Sequence, residues 1–222
     1  MTELENWDDV KCPIRATMLS GATSRKIRLT AAAMCRDFGS LPHWAKKTLG
    51  KLRDYADEEK SAVKLAAIRK TIESRRHNLA ASDFMRNVAA AMLDAASWQV
   101  TSLFGSMQSQ LAVALVKRKL LADGVEPSDE NIWGLYHSMD AEIAAGHRQI
   151  VGDICKPGLK KFRFKPDVVG VAEDAYLGRT PTSILADALE DYHPEHHMAV
   201  AHLRYPTHFR GCWAIDWITG RR

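Results

Sequence analysis

The sequence predicts an all-α protein, an irregular array of about nine to eleven helices forming a single globular unit, for which a solenoid-like stack is one form. Three observations carry this. Apolar residues recur at three- and four-residue spacing along most of the chain. No stretch alternates apolar and polar residues for long enough to make a useful strand, and no hairpin signal is present. Cap and stop residues recur between the apolar stripes, among them Thr23–Ser24, Gly39, Pro127–Ser128 and Thr180–Pro181. No fixed repeat period emerges, so a regular solenoid is not indicated.

Composition agrees with a folded domain. Of 222 residues, 46% are hydrophobic and 26% charged, which excludes disordered and fibrous classes and allows a substantial core. The 31 basic and 27 acidic residues leave a net charge of +4, a weak signal for nucleic acid on its own. No apolar run approaches the roughly 18 residues of a membrane span, so no membrane partner is expected. The acidic start MTELENWDD lacks the basic and apolar regions of a signal peptide. Cys12, Cys35, Cys155 and Cys212 lie far apart without a CxxC pair, which predicts reduced, mostly buried thiols and a cytoplasmic location.

Taken in order, Trp7, Ile14, Met18 and Leu19 suggest one or two short leading helices. The first firm helix opens at the Thr23–Ser24 cap, carries Ile27, Ala31, Met34 and Phe38 on its apolar side, and stops at Gly39. Ser40 and Pro42 restart the chain, since Pro tolerates the first helical turn, and Ala45, Leu49, Leu52 and Ala56 follow as a stripe. A third helix holds Leu65, Ile68 and Ile72, its acidic start and basic end matching the helix dipole.

From Ser82 the pattern becomes alanine-rich, with Phe84, Val88, Met92 and Ala95 in period, and Gly105–Ser106 reads as a break or kink. The simplest account of this helix is a close-packed core element. An oligomer seam is the alternative, favoured if Trp98 and Phe104 are exposed. Leu111, Ala114, Leu115 and Arg118 form the next helix, ending near Asp123–Gly124. Pro127–Ser128 caps another, with Ile132, Leu135, Tyr136, Met139 and Ile143 leading up to Gly146. A short helix then covers His147 to Cys155. The segment KPGLKKFRFKP is the one long non-helical stretch, bounded by Pro157, Gly158 and Pro166. Short helices over DVVGVAEDAYLG, SILADALEDY and EHHMAVAHL precede a tight turn at Tyr205–Pro206 and Gly211, and a last turn or two over CWAIDWITG. The domain reading is one α-helical domain over 1–222, softly divided at 124–127, with a C-terminal helical subregion over 147–222.

Two blocks carry a resemblance. At the N-terminus they are Thr2, Glu3 and Trp7, then Ser24, Arg25, Lys26, Arg28, Leu29, Cys35 and Arg36. At the C-terminus they are Leu185 to Glu190, the AHLR segment, and His208, Arg210, Gly211, Cys212 and Trp213. In these blocks, roughly a third of its length, the chain resembles a large paralogous family of uncharacterised planctomycete proteins. The chain departs from that pattern in lacking a longer insertion before ILADALE and in carrying His193, His196 and His197. The resemblance implies relatedness and no particular activity.

The candidate sites follow from chemistry. The basic, aromatic stretch Lys156, Lys160, Lys161, Phe162, Arg163, Phe164 and Lys165 is the pattern that stacks single-stranded bases beside phosphate-binding cations. Lys117–Arg118–Lys119 and Arg75–Arg76 could extend that surface. A loop anchored on a helical body by two Phe side chains explains the same residues. His193 and His197 stand at i, i+4, and with His208 and Cys212 they would make an N/N/N/S metal set. The spacing matches no strong zinc signature, however, and neither a metal nor any other cofactor is expected.

Cys212 beside His208 also admits a thiolate nucleophile, and an apolar Cys next to Trp213 is the plainer account. His208, Arg210, Gly211, Cys212 and Trp213 read best as a structural lock, with Arg210 tied to a carboxylate such as Asp187 or Asp216. Arg25, Lys26 and Arg28 could grip phosphate or an acidic partner, but a solvated face or buried Arg–carboxylate ties account for them more simply. The leading expectation is a non-enzymatic helical interaction domain or accessory subunit that binds another protein. The alternative is a nucleic-acid-associated accessory protein using loop 156–165. The third is a metal- or thiol-dependent enzyme centred on His208 and Cys212. Homo-oligomerisation is left open.

Overall fold

The computed structural model describes residues 12–36, 38, 41–58, 62–80, 83–97, 99–100, 103–156 and 160–221. Among these are eleven α-helices and no strand, in keeping with the all-α class. The chain divides into two compact units, Met1–Val151 and Gly152–Arg222. The division falls within a helix rather than at 124–127.

In the N-terminal unit the helices are α1 (Pro13–Leu19), α2 (Ser24–Arg36), α3 (His43–Glu58), α4 (Ala62–His77), α5 (Phe84–Ala95), α6 (Phe104–Ala122) and most of α7 (Asp129–Ile154). Trp7 lies outside the described residues. Helix α2 is central. Leu29, Ala31, Ala32 and Met34 are all buried, as is Thr30, whose hydroxyl donates back to the Lys26 carbonyl at 2.9 Å. Burial on every side follows because α2 packs on α3, α5 and α6.

Two basic residues of α2, Arg25 and Arg28, therefore turn inward. Arg25 donates from Nε and Nη2 to Asp57 Oδ1 at 3.2 and 3.0 Å, tying α2 to α3. Arg28 donates to the Ser97 carbonyl at 2.8 Å and lies over the Tyr55 ring. These are structural ties rather than a phosphate grip.

Helix α5 explains the alanine run. Ala89, Ala90, Ala91 and Ala95 are buried, and their small size lets α2, α4 and α6 pack closely around it. Asp83 caps it, its carboxylate accepting from Met85 N–H at 2.8 Å. Phe104 is buried and gives no support to an oligomer seam, and Trp98 lies outside the described residues.

Two expected boundaries are corrected. Gly105–Ser106 is not a break, because α6 already begins at Phe104 and the interruption lies between Ala95 and Phe104. Gly105 sits in the first helical turn, where a glycine costs little, with Ile14 Cδ1 of α1 3.6 Å from the position its Cβ would take. Gly146 likewise does not end its helix, and α7 runs unbroken from Asp129 to Ile154. One exposed-face glycine costs only about 1 kcal/mol relative to alanine, and apolar packing on both sides outweighs it. On one side Ile132 and Ile143 pack against Ala112, Val116 and Leu120 of α6. On the other, Ile150, Val151 and Ile154 are buried.

The C-terminal unit starts with the end of α7 and the non-helical stretch 155–165, of which 157–159 lie outside the described residues. Then come α8 (Pro166–Tyr176), α9 (Thr182–Tyr192), a 3-10 turn (Pro194–His196), α10 (His197–Leu203) and α11 (Trp213–Thr219). Pro166 occupies the first position of α8, and Gly178, at φ 71°, follows its last turn. Phe164, Val168, Leu185, Leu189, Leu203 and Ile215 are among the residues of one core, in which α8 packs on α9 and α11, and α9 on α10.

Candidate functional site: a buried Asp–His–His–Cys cluster

The loop 156–165 is held from below by its aromatics. Phe164 belongs to the core, and Phe162, 42% exposed, sits in a box with Phe164, His193, His196 and Trp217 at ring separations of 4.4–6.4 Å. Trp217 Nε1 donates to the Lys160 carbonyl at 2.8 Å, which fixes the strap to α11. Lys160, Lys161, Arg163 and Lys165 project outward, with Lys165 Nζ 4.4 Å from the Tyr192 ring centre, while Lys156 is half-buried. Phe164 is thus committed to the core, and a base could meet only part of Phe162.

The histidines separate into two groups. His193 caps the end of α9 in a non-helical conformation, at φ −146° and ψ 60°, so it does not share a helical face with the exposed His197. It groups instead with Glu195 and His196, both imidazoles lying 3.6 Å from Glu195 Oε1. Burial holds the His196 imidazole below its ordinary pKa against the pull of Glu195, with His193 acting in the same direction as burial.

His208 and Cys212 do come together, but with partners that spacing did not suggest. The last turn of α7 delivers Asp153, α10 delivers His202, the loop after α10 delivers His208, and Cys212 is the residue that precedes α11. Asp153 Oδ1 is 2.8 Å from His208 Nδ1 and 3.1 Å from His202 Nε2, and that same Nε2 is 3.2 Å from Cys212 Sγ. The second oxygen of Asp153 accepts from the Phe209 N–H at 2.7 Å. Asp153 is 6% exposed and Cys212 0%. The His202 ring lies 4.8 Å from Trp213 and 5.0 Å from His208, so aromatic faces wall the cluster.

Its electrostatics follow from this packing. Burial alone would raise the Asp153 pKa, but hydrogen bonds from His202, His208 and the Phe209 amide overcome it and hold the carboxyl below its ordinary range. Burial alone would lower His208, and the Asp153 carboxylate together with the backbone carbonyls of Leu203 and Tyr205 overcomes it and raises the imidazole. The two shifts act together, each favouring the charged form of its group.

Trp213 is buried in the core, and Arg210 places its guanidinium 5.4 Å from the Tyr176 ring centre. Asp187, one expected partner of Arg210, is engaged instead by Arg204 at 3.4 Å. Asp153 and His202 were missed as site residues. For Asp153 a local signal exists, an acid set among the apolar Ile150, Val151, Ile154 and Cys155 at a helix end.

A second concave feature belongs to the N-terminal unit. A groove of about 800 Å³ is floored by Met34 and Phe38, walled by Leu115, Met139, Ile143 and the buried His147, and rimmed by the exposed Arg118, Lys119, Ala122 and Glu142. Arg118 is pre-set there, donating to the Phe38 carbonyl at 2.6 Å with its guanidinium over the Phe38 ring.

Compared with known protein families, curated proteins and solved structures, the chain matches none. Fold and site together define its class, an all-α chain of two helical units whose C-terminal unit is knotted by a buried Asp–His–His–Cys cluster. No helix among the described residues is long and apolar enough to cross a membrane.

Proposed function

We propose that this chain is a non-enzymatic helical interaction module, an accessory subunit that receives an amphipathic helix of another protein in the groove of its N-terminal unit. The groove carries the reading. It is of a size that takes peptide side chains, its floor and walls are apolar, and its charges stand at the rim, the arrangement of helix-in-groove recognition. Met34 and Met139 supply flexible, polarisable contacts that adapt to a partner's side chains. Arg118 is already ordered by Phe38, so less side-chain entropy is lost on binding.

The cluster around Cys212 supports a structural rather than an enzymatic role. A thiol nucleophile must be reached by substrate, whereas Cys212 is fully buried and its near neighbours face one another. A loop strapped down by Phe164 and Trp217 likewise favours protein over nucleic acid as the partner.

The test is capture from the native host with the wild-type chain and with Met139→Glu and Ala122→Glu as parallel baits, followed by titration of the partner so identified. A partner that binds the wild type and is lost from both variants supports the reading. No partner above background, or equal binding by all three, refutes it. Salt-sensitive binding to single-stranded RNA that disappears in the Lys160/Lys161/Arg163→Ala variant would put the nucleic-acid reading in its place.

A further inference from the structure

We propose that Asp153, His202, His208 and Cys212 are the four ligands of a structural zinc ion that clamps the C-terminal unit. One donor atom from each lies within 4.8 Å of every other, and they come from four separate segments of the chain. Tetrahedral zinc with bonds of about 2.0–2.3 Å sets its ligand atoms roughly 3.3–3.6 Å apart. Three of the six separations, at 2.8, 3.1 and 3.2 Å, need a few tenths of an ångström of opening, and the remaining three lie within 4.8 Å, so small side-chain shifts would admit the ion.

The surroundings are those of a ligand set rather than a chance cluster. Asp153 is oriented by the Phe209 amide through its other oxygen, which leaves Oδ1 directed at the two imidazoles. His208 presents Nδ1 to the cluster, while its enclosed Nε2 forms no hydrogen bond, and the backbone carbonyls of Leu203 and Tyr205 act on the ring. A proton on Nε2 would leave the Nδ1 lone pair for the metal, the usual way in which outer partners set the tautomer of a ligating histidine.

Two imidazoles, one thiolate and one carboxylate make a borderline-soft set, which suits zinc and not the oxygen-seeking magnesium or calcium. Four protein donors leave no open coordination position, so the ion is structural and not catalytic. On binding, zinc replaces the Cys212 thiol proton and the proton shared between His208 and Asp153, both of which pass to solvent. The ion would tie the end of α7 to α10 and to the start of α11. This inference is independent of the groove in the N-terminal unit.

The experiment uses the full chain. Metal analysis of protein purified without chelator should return one zinc per chain. After chelation, cobalt(II) should restore one equivalent with the intense visible bands of a tetrahedral site and the near-ultraviolet charge-transfer band of a cobalt–thiolate bond. Cys212→Ser should remove the charge-transfer band, and His196→Ala should change neither feature. Thermal unfolding should shift down on chelation and return with zinc. Failure of wild-type chain to bind cobalt, a weak octahedral spectrum without the sulfur band, or loss of binding in His196→Ala would each overturn the proposal. Should Cys212→Ser fail to fold, the wild-type cobalt spectrum decides alone.

Discussion

Replacement of Asp153 by alanine is the perturbation that probes the cluster most directly. The carboxylate is 6% exposed and faces His208 at 2.8 Å, His202 at 3.1 Å and the Phe209 amide at 2.7 Å. Removing one member of a buried charged pair costs about 3–5 kcal/mol, because the remaining charge is left uncompensated. The orphaned Phe209 amide adds in the same direction, though such effects do not sum independently. At about 1.4 kcal/mol per factor of ten, hydrogen exchange across residues 197–219 should accelerate by roughly two to four orders of magnitude. Amide exchange read by mass spectrometry on peptides from that stretch is the assay, in wild type and variant under the same buffer. Asp187→Ala is the control, since Asp187 is 70% exposed where it meets Arg204, and exchange there should change little. Exchange in Asp153→Ala within tenfold of wild type would refute the view that this carboxylate holds the unit together.

Other outcomes follow from particular contacts. Arg25→Ala breaks a pair whose side chains are 6% and 12% exposed, and should cost about 3–5 kcal/mol in urea unfolding of the N-terminal unit. Burial pushes the Cys35 thiol up to about 12, so thiol reagents at mildly alkaline pH should label exposed Cys12 and leave Cys35 untouched until the protein is denatured. Leu185→Ala, at a site that is 0% exposed in the C-terminal core, should destabilise by about 2–5 kcal/mol in the same unfolding assay. The Lys160/Lys161/Arg163→Ala variant removes three exposed charges and should unfold within about 0.5 kcal/mol of wild type.

What the amino-acid sequence by itself determined is the helical class, most helix starts, and two of the four residues that meet in the cluster, His208 and Cys212. Apolar periodicity is a local property, so the stripes through Ala45–Ala56 and Leu65–Ile72 were legible without any knowledge of neighbours. Caps are local too, and the stop at Asp123–Gly124 is where α6 ends. His208 and Cys212 stood out for the same reason, four residues apart in one short stretch.

Only tertiary structure decided which glycines matter and who completes the cluster. Gly105 and Gly146 look like breaks in isolation, yet Gly105 falls in the first turn of α6, where a glycine costs little, and at Gly146 packing on either side outweighs the modest penalty of a glycine inside a helix. Asp153 precedes His208 by 55 residues, and no local pattern links an acid at a helix end to a loop that far away. His193 and His197 illustrate the converse, since a favourable helical spacing came to nothing once His193 adopted a non-helical backbone at the end of α9. Spacing describes side chains along one element, whereas a cluster of four side chains from four segments exists only once tertiary packing has brought those segments together.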